Sequence, residues 1–212
     1  MKLYGYWRST AAYRVRIALN LKKLSFESIP VHLVKNGGEQ HLDDYDKLNP
    51  THLVPSLVDD QLVLNQSLAI IDYLDDKYPE HTIYPQTLET KAQVKALAYD
   101  IACEIHPINN LRVQQYLVNE LGITETQKIA WNHHWMTLGF TAIEKKLAQM
   151  SGKYCFGDTL TLADICLVPQ VYNAKRFNLD LSAFPLICAI TDRCNTLPAF
   201  IDALPENQSD AG

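Results

Sequence analysis

The chain has 212 residues, long enough for one substantial core or two small ones, and its 47% apolar and 20% charged composition is that of a globular protein. A formal net charge of −5 and a pI near 5.8 argue against a sequence-independent nucleic-acid binder, which needs a basic face. No apolar run approaches the ~20 residues that span a bilayer, and "MKLYGYW" has no signal-peptide core, so no membrane partner and a cytoplasmic location are expected.

In chain order, "KLYGYW" is expected as a strand and "AAYRVRIALNLKK" as a helix with Val15, Ala18 and Leu19 on one face. Lys22 and Lys23 close that helix where positive charge suits the dipole. "SFESIPVHLV" alternates like a second strand, and the polar segment "KNGGEQHLDDYDKLNP" follows as a loop. "VPSLVDDQLVL" suggests two strands around an Asp-Asp turn. "NQSLAIIDYLDDKYP" suggests a helix with Leu68, Ile71 and Leu74 at helical spacing and Pro79 past its end. The order β-α-β then β-β-α implies a mixed sheet, because the first unit gives a parallel pair and the hairpin an antiparallel one.

After "EHTIYPQTLE" strand signals largely vanish. A long helical pattern from residue 89 is interrupted at Pro107, a second covers 124–150, and others fall near 161–173 and 183–203. Two domains are expected, an α/β domain over 1–80 and an all-α domain over 88–212. Thr161 and Asp164 have the spacing of a capping box, which makes Asp164 a structural carboxylate and not a catalytic acid.

Common nucleotide, serine-hydrolase and zinc signatures are absent. His133 and His134 point about 100° apart on a helix, and Cys103 with His106 supplies only two ligands, so no metal site is expected. The five cysteines form no C-x-x-C pair. Four lie in apolar surroundings like core residues, with Cys194 harder to place, and no disulfide framework is expected.

Candidate chemistry gathers at junctions. Ser9 or Thr10 stands where a strand feeds a helix and can cap it. The same position presents the positive end of the helix dipole, which stabilises an anion such as a thiolate. Pro55 at the mouth of a strand suits an edge or a cis turn, in which Val54 offers its backbone to an extended peptide-like ligand; an ordinary strand-entry proline explains it equally well. Gln66 and Ser67 begin another helix, where they either cap it or bind a carboxylate.

Together, Ser9 at the first helix start, Val54-Pro55 before the third strand and Gln66-Ser67 at the later helix make the first domain resemble the thioredoxin-like, glutathione-binding domain of glutathione transferases. The helical remainder resembles their second domain. Within that family, "RSTAAYRVRIAL", "NQSLAIIDYL", "HPINNLR", "GDTLTLADICLVPQV" and "NAKRFNLDL" resemble the zeta class, the maleylacetoacetate and maleylpyruvate isomerases. The zeta signature R-S-S-C-x-x-R-V-R-I-A-L has Thr10 for its second serine and Ala11 for its cysteine here, so a protein thiol at that place is excluded.

The resemblance implies the glutathione transferase fold, glutathione as cofactor and a homodimer. It implies a glutathione site of Ser9, Thr10, Gln40, Val54, Pro55, Gln66 and Ser67, closed by His106 and Asn110. Ser9 is then the hydrogen-bond donor to sulfur. Arg8, Arg112 and Arg176 face the carboxylates of a small dicarboxylate keto-acid, with Arg8 and Thr10 beside Ser9 in the catalytic group. The expected activity is the glutathione-dependent isomerisation of maleylacetoacetate in tyrosine and phenylalanine breakdown. Maleylpyruvate isomerisation, suggested by "HPINN", is the nearest alternative, followed by general glutathione conjugation and a non-enzymatic binding module.

Overall fold

A computed structural model describes residues 1–211. They form two units, one of residues 1–82 together with the chain from Thr196 onward, the other of residues 83–195.

The first unit is built on four short strands, β1 (Lys2–Gly5), β2 (Glu27–Pro30), β3 (Ser56–Asp59) and β4 (Leu62–Asn65), in the order β2-β1-β3-β4. β1 runs parallel to β2 and antiparallel to β3, and β3 runs antiparallel to β4, so the sheet is mixed as expected. Alternation along β1 sends Leu3 and Tyr4 to opposite faces. Leu3 lies opposite Leu57 and both are buried. Tyr4 belongs to a second cluster with Tyr6, Trp7, Val31, Tyr45 and Val54.

Helix α1 (Thr10–Leu21) packs against α3 (Ser67–Lys77), while α2 (Asp43–Leu48) contributes Tyr45 to the second cluster. Ile70, Ile71 and Leu74 on α3 are fully buried, each stabilising the fold by ~2 kcal/mol relative to exposure. α1 is buried beyond its expected apolar face, because Arg14 and Arg16 are also enclosed. Arg16 donates through Nε to the Ala203 carbonyl (3.1 Å) and through Nη2 to the Trp7 carbonyl (3.0 Å). Lys22 does more than meet the helix dipole: its Nζ lies 2.6 Å from Asp75 and donates to the Tyr78 carbonyl at 2.8 Å.

In the second unit, α4 (Leu88–Tyr99) continues into a π-helical turn (Asp100–Ile105) and a 3-10 turn (Pro107–Asn109) before α5 (Leu111–Asn119). This is the interruption expected at Pro107. Gly139 on α6 (Glu125–Met150) makes room for the π turn, since a Cβ there would lie 2.3 Å from Ile105 Cδ1. α7 (Leu162–Arg176) is the buried centre. The Asp164 carboxylate accepts from the N–H and hydroxyl of Thr161 (2.8 and 3.0 Å) and from the Cys155 N–H (2.8 Å). Burial pushes its pKa up while those bonds pull it down, as befits a structural carboxylate.

Four expectations are corrected. The polar segment after β2, expected as a loop, folds into two 3-10 turns and the helix α2. The segment near 183–203 is two helices, α8 (Pro185–Cys194) and α9 (Pro198–Ile201), separated by residues 195–197. The end of the chain belongs with the first unit and not with a domain over 88–212, because Ala199, Ala203 and Asp210 are bonded to Asn20, Arg16 and Trp7. Among the cysteines, Cys194 is buried and Cys103 is the exposed one, and no disulfide links any of the five.

Candidate active site

Strand register brings the first unit's candidate residues to one end of the sheet. Tyr4, near the C-terminal end of β1, pairs with Ser56 at the start of β3, and Ser56 pairs with Asn65 at the end of β4. Gly5 lies opposite Pro30 at the end of β2. The chain leaves β1 towards Arg8 and Ser9, leaves β2 towards Gln40, enters β3 through Val54-Pro55, and leaves β4 into Gln66-Ser67. All four junctions therefore share an end.

Ser9 is the N-cap of α1, with an extended backbone (φ −70°, ψ 118°). Its Oγ accepts from the Ala12 N–H at 3.2 Å. That bond uses a lone pair and leaves the hydroxyl hydrogen available, so capping and donation to an outside anion are compatible roles. The Ser9 N–H donates to the Tyr6 carbonyl at 2.9 Å, closing a turn that carries Trp7 and Arg8 at its centre. Arg8 is exposed, and its guanidinium carbon lies 4.2 Å from the centroid of the Trp7 ring. Thr10, the first residue of α1, is buried, so Ser9 is the more open hydroxyl.

The Val54–Pro55 peptide is cis. The approach to it is held by groups that sequence reasoning missed. The Leu53 carbonyl accepts from the Tyr45 hydroxyl (2.6 Å) and from Asn49 Nδ2 (2.8 Å). Burial pushes the Tyr45 pKa up, against hydrogen bonds from Ser56 and Asn49, so it remains a phenol that donates. Asn49 Oδ1 in turn accepts from Asn65 Nδ2 at 3.0 Å, linking this loop to the end of β4. An Asn-Pro dipeptide at 49–50 was the available signal.

Gln40 is buried, donating through Nε2 to the Leu33 carbonyl (3.3 Å), while its Oε1 has no hydrogen-bond partner among the described residues. A buried acceptor of this kind suits an amide-bearing ligand. Gly38 permits the arrangement: its φ is +100°, and a Cβ there would lie 2.5 Å from Gln40 Nε2. His41 Nδ1 and His52 Nδ1 stand 3.2 Å apart, and Asp46 lies 2.7 Å from His52 Nε2, which ties the Gln40 segment to the Val54 loop.

Gln66 precedes α3 with φ +68° and no side-chain cap bond, so it is not a plain cap. A non-glycine residue held in that region is costly, of order 1–3 kcal/mol. Ser67, the first residue of α3, is buried and its Oγ accepts from Arg14 Nη1 at 3.4 Å.

The remaining candidates lie in the second unit. His106 follows the π turn, its N–H bonded to the Ile101 carbonyl at 2.9 Å, and its Nε2 is 3.4 Å from Asn110 Nδ2. Asn110 caps α5 by accepting from the Arg112 N–H at 3.2 Å. Its neighbour Asn109 is fixed in the core, accepting from Asn173 (3.0 Å) and donating to the Ile105 carbonyl (2.9 Å). Arg112 is exposed in the first turn of α5, where a cation works against the helix dipole, a placement without local benefit. Arg176 is exposed at the end of α7, stacked 4.9 Å from the Phe177 ring centroid.

Among the described residues no group of three or more His, Cys, Asp or Glu side chains is placed to hold a metal ion.

Residues 3–82 match the family model of the glutathione S-transferase N-terminal domain, and residues 138–198 that of the C-terminal domain. The chain is 56% identical to "Probable maleylacetoacetate isomerase" of Vibrio cholerae, over 99% of this chain and 97% of that one. It is 46% identical to a maleylpyruvate isomerase of Ralstonia over the whole of both chains. Among solved structures, the holo form of a zeta-class maleylpyruvate isomerase superposes with a TM-score of 0.97 at 45% identity, covering both chains fully. The maleylacetoacetate isomerase of Methylobacterium extorquens, solved with bound malonate and GSH, gives 0.96 at 33% identity, again over both whole chains. The chain belongs to the glutathione transferase family, in its zeta class.

Proposed function

We propose that the chain is a glutathione-dependent cis-trans isomerase that converts maleylacetoacetate to fumarylacetoacetate in the breakdown of tyrosine and phenylalanine. The observation that carries this reading is the Ser9 hydroxyl, which accepts from Ala12 and keeps its hydrogen to donate, at a helix N-terminus beside Arg8 and with alanine at position 11.

When bound, glutathione supplies a thiolate whose reversible addition makes the cis double bond single for long enough to rotate. Ser9 donates to the sulfur and, with the positive end of α1, favours its anionic form. The backbone of Val54 holds the peptide portion in extended form, Gln40 Oε1 accepts from an amide, and Gln66 and Ser67 bind the carboxylate end near the start of α3. Pro55 fixes the turn that presents Val54, and Thr10 supports the Ser9 cap from inside α1. Arg8 binds a substrate carboxylate and stabilises negative charge that moves towards the substrate oxygens.

We assign the protein to the cytoplasm as a homodimer. Among the described residues, no helix is long and apolar enough to cross a membrane. Maleylpyruvate isomerisation is the second reading, favoured by the "HPINN" segment and by the 46% identity to the Ralstonia enzyme. Side-by-side kcat/KM values for the two cis substrates test the choice. A tenfold preference for maleylacetoacetate supports the first reading, and the reverse preference replaces it with the second.

A further inference from the structure

The chain end returns to the turn that bears the candidate catalytic groups. Trp7 is the first central residue of the Tyr6–Ser9 turn, and its N–H lies beyond the end of β1 without a ladder partner. The Asp210 carboxylate accepts that N–H at 3.0 Å. The Trp7 carbonyl accepts from Arg16 Nη2 at 3.0 Å, and Arg16 Nε donates to Ala203 of the same returning segment at 3.1 Å. Asn20 adds a bond to the Ala199 carbonyl at 3.0 Å. Both polar groups of the Trp7 peptide are thus held, one directly by the chain end and the other through an arginine that grips it. The indole of Trp7 in turn carries the Arg8 guanidinium.

A second set of contacts reaches the other side of the site. Ala211 packs against the cluster of Tyr6, Trp7, Val31, Tyr45 and Val54. Tyr45 and Val54 belong to the loop that leads into β3, so the same few terminal residues touch the supports of Arg8, of Ser9 and of the Val54 backbone.

From this geometry we propose that the C-terminal segment is a latch for the thiol site, with Asp210 the positioning residue that sets the Trp7–Arg8–Ser9 turn. Asp210 acts through Trp7 and does not itself touch substrate. A charge-assisted bond to a peptide N–H is roughly twice as strong as a neutral one and holds the turn in a single geometry. Loosening it leaves the Trp7 N–H unpaired and lets Arg8 and Ser9 drift, and a displacement near 1 Å at a reacting centre can cost up to ~100-fold in rate. The inference rests on the isomerase reading for its kinetic arm only.

The test compares the parent with Asp210→Ala, Asp210→Glu and a chain ending at residue 208. Isomerase kcat and KM, glutathione affinity by calorimetry and the melting temperature are measured for each. The expected result for Asp210→Ala and the shortened chain is a KM for the dicarboxylate raised about tenfold, a lower kcat and glutathione binding weakened several-fold. Asp210→Glu should recover most of the loss, and melting should stay within a few degrees of the parent. Unchanged kinetics and glutathione affinity in Asp210→Ala would overturn the latch, as would a lower melting temperature with kcat and KM intact at an assay temperature well below it. A parent that binds glutathione but isomerises nothing refutes the isomerase reading, while the calorimetric comparison still decides the latch.

Discussion

Replacing Ser9 separates its two roles. The bond from the Ala12 N–H to Ser9 Oγ is 3.2 Å, at the long end of the normal range, so loss of the cap in Ser9→Ala should cost ~1 kcal/mol or slightly less. For a chain of this length that is a fall of roughly 2–4 °C in melting temperature. Loss of the outward hydrogen bond acts on a charged sulfur, and hydrogen bonds to charged groups contribute about 1.5–3 kcal/mol, which is roughly 10- to 150-fold in turnover. Ser9→Gly sharpens the comparison, because glycine is itself tolerated at an N-cap and costs only a few tenths of a kcal/mol. Both variants should therefore lose similar activity, while only Ser9→Ala loses measurable stability. The assay is steady-state isomerisation at saturating glutathione, with thermal melting of the same preparations. If either variant turns over at the parent rate, Ser9 is only a cap and the proposed thiolate donor is wrong.

Arg8→Met removes the cation stacked on Trp7 and should raise the KM for the dicarboxylate about tenfold or more, leaving glutathione affinity within about twofold; an equal loss of both would mean that Arg8 holds glutathione. Asp59 gives a pH signature. The hydrogen bond from Lys77, then that from Tyr73, holds its carboxyl below the usual aspartate value, against a smaller effect of burial. A depressed folded pKa means stability that is complete above the unfolded value of ~3.9 and is lost as the pH falls below it, through the folded value. Urea melts at pH 6 and pH 3 should show Asp59→Asn losing less stability than the parent across that interval. An equal loss in both would show that Asp59 does not contribute to the acid response.

Apart from α2, hidden in a polar segment, and the break between α8 and α9, the order of strands and helices was legible because each element keeps its own hydrophobic period, and because Ser9, Pro55 and Pro107 mark real boundaries. The return of the chain end was not legible. Asp210 bonds to a backbone N–H 203 residues away, and nothing in the local pattern of a polar tail announces a partner at that distance. Gln66 was equally hidden, since a left-handed backbone at glutamine is imposed by the surrounding fold and not by the residue. Other features were present but overlooked. Thr124 and Gln127 have capping-box spacing and begin α6, with the Gln127 side chain accepting the Thr124 N–H at 2.8 Å. In the candidate site, hydroxyls at helix starts stood out from sequence, whereas Tyr45, Asn49, His41 and His52 did not. They act by tying neighbouring segments together, a role whose one trace in the sequence is the Asn-Pro dipeptide at 49–50.

The central claim is that the sulfur required for isomerisation comes from glutathione, because the chain has alanine at position 11. Its most direct measurement is the initial rate on maleylacetoacetate with and without glutathione, with free glutathione quantified throughout. The account predicts turnover only when glutathione is present, many product molecules per glutathione, and no fall in its concentration. Equal turnover in its absence, or its one-for-one consumption into a stable conjugate, would contradict the account.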